Sequence, residues 1–176
     1  MKNTATKINW KGMECIQLCA GGYTALIAPG IGSNVLRLHD DANGVEFFRW
    51  DENNTPEDIK QSAEVWGLPT LYLPNRFADG VLKTSDATYQ LPVNEAAPFH
   101  NHIHGFLHKR EHNIVAYSAN EEGAWLRTSY VYNEEDPFFQ YMPLRFTADF
   151  FFVLSDTVWS TSSPLPTSPR RSCRFL

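Results

Sequence analysis

The sequence predicts an all-β fold, a β-sandwich. Short apolar or alternating runs recur about every ten residues, the spacing expected of a sandwich or barrel. The runs are rich in β-branched and aromatic side chains, which suit a pleated surface, and Gly, Pro, Asn and Asp fill the gaps between them. At 176 residues, 43% of them hydrophobic, a single domain can bury an adequate core without cross-links.

The elements follow in chain order. Tyr23–Ala28 is the first strand, closed by a Pro29-Gly30 turn, and Val35–Leu38 is the second. An Asn43-Gly44 turn leads into Val45–Trp50. Thr55 then reads as a helix cap, with Pro56 at the first position and Glu57 and Asp58 in the first turn, so a short helix runs toward Ser62. Ala78-Asp79-Gly80 is a turn. Ile114–Ser118 and Ala124–Tyr132 are strands joined through Glu121-Glu122-Gly123, and Leu144–Leu154 is the last. Phe146, Phe150 and Phe152 fall on one face of it and belong to the core. From Thr157 the composition turns to Ser, Thr, Pro and Arg with no strand period, so residues 1–156 form the domain and 157–176 a tail.

Composition excludes several functions. Fifteen Lys plus Arg against twenty Asp plus Glu give a formal charge of −5. No basic run is longer than a pair such as Arg170-Arg171, so the footprint of a nucleic-acid binder is missing. Cys15, Cys19 and Cys173 lack metal-type spacing and fit the reduced thiols of a cytoplasmic protein. No window approaches the roughly 20 apolar residues that cross a bilayer, and Met1–Lys11 lacks the apolar stretch of a signal peptide. Neither Gly21-Gly22 nor Gly30-Ile31-Gly32 continues into a phosphate loop, so nucleotide chemistry has no support.

Three segments carry the functional signal. They are Leu71-Tyr72-Leu73-Pro74-Asn75-Arg76-Phe77, which opens on an apolar strand at Leu71–Leu73, then Leu91-Pro92-Val93-Asn94, then His100-Asn101-His102-Ile103-His104-Gly105-Phe106. In this order and spacing they resemble the front half of the site in the aldose 1-epimerase (galactose mutarotase) family, where an Asn-Arg pair precedes an Asn and then a His-Gly turn. The resemblance runs from about Gly22 to about Asp156. It implies a galactose mutarotase-like supersandwich, incomplete in this chain, a monosaccharide substrate, and no cofactor or metal. It also implies that Arg76 and His104 are catalytic, holding and polarising the sugar.

The residue types fit that role. A planar five-donor guanidinium at Arg76 suits vicinal hydroxyls and stays charged at any working pH. A His104 imidazole can donate or accept toward a sugar, and Gly105 allows a tight turn beside a ligand. Asn75 and Asn94 fall on the family's asparagines, although Asn at a strand end also serves as an Asx turn. Trp66 is the aromatic singled out for stacking on a sugar, with core packing as its other use. His100, His102 and His104 alternate and would share one face of an extended segment, which opens a rival metal-binding reading. Glu111 lies too far beyond them and no histidine follows His112, so that reading fails. His108 and His112, beside Lys109, Arg110 and Glu111, read as a solvated charged face.

Mutarotation needs a base on the anomeric hydroxyl and an acid on the ring oxygen. In the family a later histidine and glutamate supply them, and no residue of this chain takes those places. Glu134, Glu135 and Asp136 are a turn cluster. The alternative function is therefore a non-catalytic carbohydrate-binding or structural sandwich. The codons of Thr157 to Pro169, shifted by one nucleotide, can encode Gly-Leu-Glu-His-Gln-Leu-Ala-Val-Thr-Asn-Phe-Ser, which matches the family's continuation. Two origins of the tail stay open, a frameshift near Asp156 or a natural disordered segment. An incomplete sandwich leaves strand edges uncovered, and self-association is expected of it.

Overall fold

The computed structural model describes residues 2–156 and, as backbone, 159–162. Its first sheet has five antiparallel strands in sequence order: β1 (Thr4–Trp10), β2 (Met13–Ala20), β3 (Tyr23–Ala28), β4 (Asn34–Asp40) and β5 (Val45–Glu46). α1 (Pro56–Gln61) follows. The site region carries four three-residue strands paired as two ribbons. β6 (Arg76–Ala78) pairs with β9 (Asn101–Ile103), and β7 (Val81–Lys83) pairs with β8 (Thr88–Gln90). The second sheet is β10 (Asn113–Asn120), β11 (Gly123–Tyr132), β12 (Phe146–Leu154) and β13 (Trp159–Ser162).

The two larger sheets stack through one core. Ile16, Leu18, Ala25, Ile27 and Leu38 of the first meet Ala124, Leu126, Phe150, Phe152 and Leu154 of the second. Successive strand side chains point to opposite faces, so a strand covered on both sides is apolar at every position. β3 is that strand. Ala25 and Ile27 face the sandwich, whereas Leu26 and Ala28 face a second cluster with Leu36, Ile59 and Ala63, which α1 helps to cover. α1 starts as its sequence indicates. The Thr55 side chain accepts from the Asp58 N–H, and the Asp58 carboxylate accepts from the Thr55 N–H at 2.8 Å.

Expectation and structure part in four places. β1 and β2 form a full hairpin ahead of the first expected strand, their polar and apolar residues mixing because β1 is a margin of the sheet. Of Val45–Trp50 only two residues pair, since β5 reaches only the end of β4. Leu71–Leu73 is no strand; it holds a single parallel bridge between Tyr72 and Gly105. β13 lies within the segment read as an unpatterned tail. It pairs antiparallel with β12 from Phe151↔Ser162 to Leu154↔Trp159, because a free row of backbone N–H and C=O groups can accept any extended chain. The remaining tail residues lie outside the described ones. No helix among the described residues is long and apolar enough to cross a membrane.

Replacing Phe152 by Ala is expected to cost about 3–5 kcal/mol in urea unfolding, whereas Val131→Ala, on the exposed side of β11, stays within ~0.5 kcal/mol. Equal losses for the two variants would contradict the stacking of the sheets.

Candidate functional site

The β6–β9 ribbon sets Arg76 opposite Ile103 and Phe77 opposite His102. Beside it, residues 94 and 95 are clamped onto β9. The N–H groups of Asn94 and Glu95 both donate to the Asn101 carbonyl at 3.0 Å. The Asn94 amide completes the clamp, accepting from the Ile103 N–H at 2.7 Å and donating to the Ile103 carbonyl at 2.9 Å. Each asparagine bond satisfies a backbone group that a short ribbon would leave unpaired.

The clamp aims Glu95 at Arg76. Arg76 Nε donates to both Glu95 oxygens, at 2.8 and 3.1 Å, and Nη2 lies 2.8 Å from Oε1. Asn101 Nδ2 donates to Oε2 at 2.7 Å. Asn101 and then Arg76 hold the Glu95 carboxyl below the usual carboxylate range, with a smaller pull in the same direction from the nearby His104. The Arg76 side chain remains 53% exposed, and its Nη1 edge is available to a ligand.

His104 is placed by a close crossing of two backbones. Its N–H donates to the Asn75 carbonyl at 3.1 Å, and Asn75 and His104 both adopt left-handed backbone, φ 60° and 66°. Gly105 follows at φ 64°. A Cβ there would lie 1.7 Å from the Leu73 nitrogen and 2.0 Å from the Tyr72 carbonyl, so only glycine fits. The crossing lets the Phe106 N–H donate to the Tyr72 carbonyl at 2.8 Å and drops Phe106 into the core.

Arg76 thus meets the Asn94 segment through Glu95, the residue absent from the sequence-derived set, and His104 lies close enough to act on that carboxylate's charge. The signal for Glu95 was its position next to Asn94, but that says nothing of which cation it meets. Asn75 contributes backbone geometry, and its side chain is exposed. Trp66 keeps other company. Its ring lies 3.9 Å from the Arg49 guanidinium and packs on the cluster of Ile59 and Ala63.

The remaining histidines correct their expectations. His100, His102 and His104 do not share a face, because β9 is only three residues long and His100 and His104 flank it in left-handed backbone. His100 is exposed and 2.9 Å from Asp79, while His102 is buried and donates from Nδ1 to the Pro92 carbonyl at 2.7 Å. Among the described residues no group of three or more His, Cys, Asp or Glu could hold a metal. His108 and His112, read as a solvated face, are each 2% exposed. The 3-10 turn Leu107–Lys109 and the chain after it fold under the first sheet: the Gly32 N–H donates to the Arg110 carbonyl, and the His112 N–H donates to the Pro29 carbonyl. His112 Nδ1 lies 2.9 Å from Ser33 Oγ, and its ring stacks on Phe150.

Burial pushes His108 down to about 4, with Lys109 adding to the effect, and burial likewise pushes His112 to about 4. His108 is therefore neutral near pH 7, and its 3.9 Å approach to Glu64 is no ion pair there.

The family model for aldose 1-epimerase matches residues 14–161. A galactose mutarotase-like protein from Clostridium acetobutylicum is 32% identical, over 90% of this chain and 47% of that one, with a TM-score of 0.83. A galactose 1-epimerase from Lactobacillus acidophilus (20% identical, 89% and 45% covered, TM-score 0.65) bears on the fold alone. The same holds for an aldose epimerase homologue from C. elegans (19%, 86% and 42%, 0.63). The chain spans about half the length of the solved structures it matches.

Folded His108 and His112 resist protonation, whereas the unfolded chain takes up those protons below the ordinary value of 6.5. Stability is therefore complete above pH 6.5 and falls as pH drops toward about 4, by on the order of 3 kcal/mol per imidazole. Urea midpoints measured from pH 7 to 4.5 should fall less steeply for His112→Gln; identical slopes would show that this imidazole is not the cause.

Proposed function

This chain belongs to the aldose 1-epimerase family, and we propose that its Arg76 and His104 hold a free hexose or related sugar for interconversion of the α and β anomers. The observation that carries this reading is that the half-exposed Arg76 is held on the Glu95 carboxylate while His104 lies near enough to the same carboxylate to act on its charge. A guanidinium donates to vicinal hydroxyls, and an imidazole polarises the ring oxygen or an adjacent hydroxyl. Asn75 and Asn94, on the segments that carry Arg76 and Glu95, and Trp66, which precedes the first of them, are the further candidate contacts for the sugar.

In the reaction a base removes the proton from the anomeric hydroxyl while an acid protonates the ring oxygen. The bond between C1 and the ring oxygen breaks, the aldehyde rotates, and the reverse transfers close the ring on its other face. Two proton-transfer groups on opposite sides of the sugar are needed, and no cofactor enters the balance. Glu95 is a poor base, being tied to Arg76 and Asn101 and held well ionised. Buried His108 is equally unsuited. The described residues therefore supply the binding and polarising side of the reaction, and sugar binding without turnover is the second reading, favoured by the chain spanning about half of its solved relatives.

Polarimetry of freshly dissolved α-D-glucose or α-D-galactose with this chain is expected to follow the buffer rate. NMR titration of the same sample should show sugar binding that Arg76→Ala and His104→Ala each weaken by roughly tenfold to a hundredfold, the worth of one charged hydrogen bond. Unchanged binding in both variants sinks the site, and clear acceleration by this chain sinks the assignment of proton transfer to other residues. Self-association through β10, where Val115 and Tyr117 are exposed, is part of the same reading. A sedimentation profile of monomer alone at high concentration would refute it.

A further inference from the structure

Arg76 does not stand as a free cation. Its Nε and Nη2 edge is closed by a bidentate Glu95, whose second oxygen also receives Asn101. This fork geometry is the one a guanidinium offers to a phosphate, and here a carboxylate of the same chain occupies it. The carboxylate is not a chance surface partner. Its own side chain is only 14% exposed, its backbone N–H is bonded to Asn101, and the preceding Asn94 is tied twice to Ile103, so Glu95 has little freedom to leave. The Arg76–Glu95 pair carries no net charge, and its remaining Nη1 donors suit neutral hydroxyl oxygens.

Resting on the sugar-binding reading above, we propose that Glu95 is a positioning and specificity-determining residue, which fixes the Arg76 fork and neutralises it so that the site selects an uncharged monosaccharide over a hexose phosphate. Two physical effects act together. Ordering the guanidinium before the ligand arrives removes the cost of ordering it on binding. A fixed negative charge within a few ångströms of an incoming phosphate repels it and competes for the same donors, whereas a hydroxyl meets no such penalty. The carboxylate stays ionised throughout the neutral range, since Asn101 and Arg76 both hold it below its ordinary value. The charge that Glu95 presents to an incoming phosphate is therefore constant near neutrality.

The test uses the full chain, titrated by NMR with D-galactose and, separately, with galactose 6-phosphate. Glu95→Gln keeps the shape of the side chain and removes the charge. It is expected to move the ratio of the two dissociation constants about tenfold or more toward the phosphate, with galactose itself bound more weakly. Glu95→Asp keeps the charge and is expected to leave the ratio within about threefold of the unaltered chain. A merely structural role would not move this ratio, and the Arg76 Nε–H resonance gives a second readout, exchanging faster with water in Glu95→Gln than in the unaltered chain.

The outcomes separate cleanly. Failure of the unaltered chain to bind either sugar overturns the sugar-binding reading and the role of Glu95 with it. Galactose binding with an unchanged ratio in Glu95→Gln overturns the role of Glu95 alone. A ratio that shifts as far in Glu95→Asp as in Glu95→Gln also overturns it, because charge would not be the cause. Should Glu95→Gln fail to fold, Glu95→Ala, which also removes the charge, is read through the same ratio and the same resonance.

Discussion

The contact between the Gly105 backbone and the Tyr72-Leu73 peptide is the constraint on which the site depends. Two chain segments separated by some thirty positions cross there at a distance that leaves no room for a Cβ. The Tyr72 carbonyl then accepts from both Phe106 at 2.8 Å and Leu107 at 3.3 Å, so the crossing is tied rather than merely tolerated. The candidate site residues Arg76 and His104 hang on either side of it. Arg76 leaves one arm a few residues after the crossing, His104 immediately precedes it on the other arm, and Phe106 anchors it by stacking on Phe138 at 4.5 Å.

Around that crossing the protein uses buried polar groups to hold loops that carry little apolar surface. Asp136 is the clearest case. Burial opposes its charge, but Arg110 donates to both of its oxygens at 2.6 and 2.9 Å and the Tyr130 hydroxyl donates to one of them, which holds its carboxyl below the ordinary range. The same aspartate accepts from the Phe138 N–H at 2.7 Å and so fixes the 3-10 turn that places Phe138 against Phe106. His112, Ser33 and Thr128 do comparable work between the sheets. Removing one partner from such a group leaves an unsatisfied buried charge or hydroxyl, which costs more than the bond itself contributes.

The site follows the opposite design, being exposed and electrically balanced. A guanidinium near solvent has many rotamers open to it, and the Glu95 clamp converts it into a fixed, neutral pair. Because that carboxylate is rigid for reasons independent of Arg76, the pair is held by the fold and not by its own weak surface attraction. The narrow β6–β9 ribbon could not do this alone, since three residues of pairing define a register but not the aim of a side chain.

Local features of this chain were legible directly. The strands β3, β4, β10, β11 and β12 follow from period and turn chemistry, and the start of α1 follows from Thr55 and Asp58, because caps and alternation are written within a few residues of one another. The all-β sandwich belongs to the same category, and the pairing of Arg76 with His104 as sugar contacts is a proposal that rests on a resemblance of ordered motifs. Tertiary structure alone decided the rest. Glu95 meets Arg76 only because residues 94 and 95 dock on β9; His108 and His112 are buried only because the chain after Gly105 passes beneath the first sheet; and His100, His102 and His104 diverge only because the ribbon ends at Asn101 and Ile103. Each depends on which distant backbone lies alongside, and one-dimensional spacing carries no record of that.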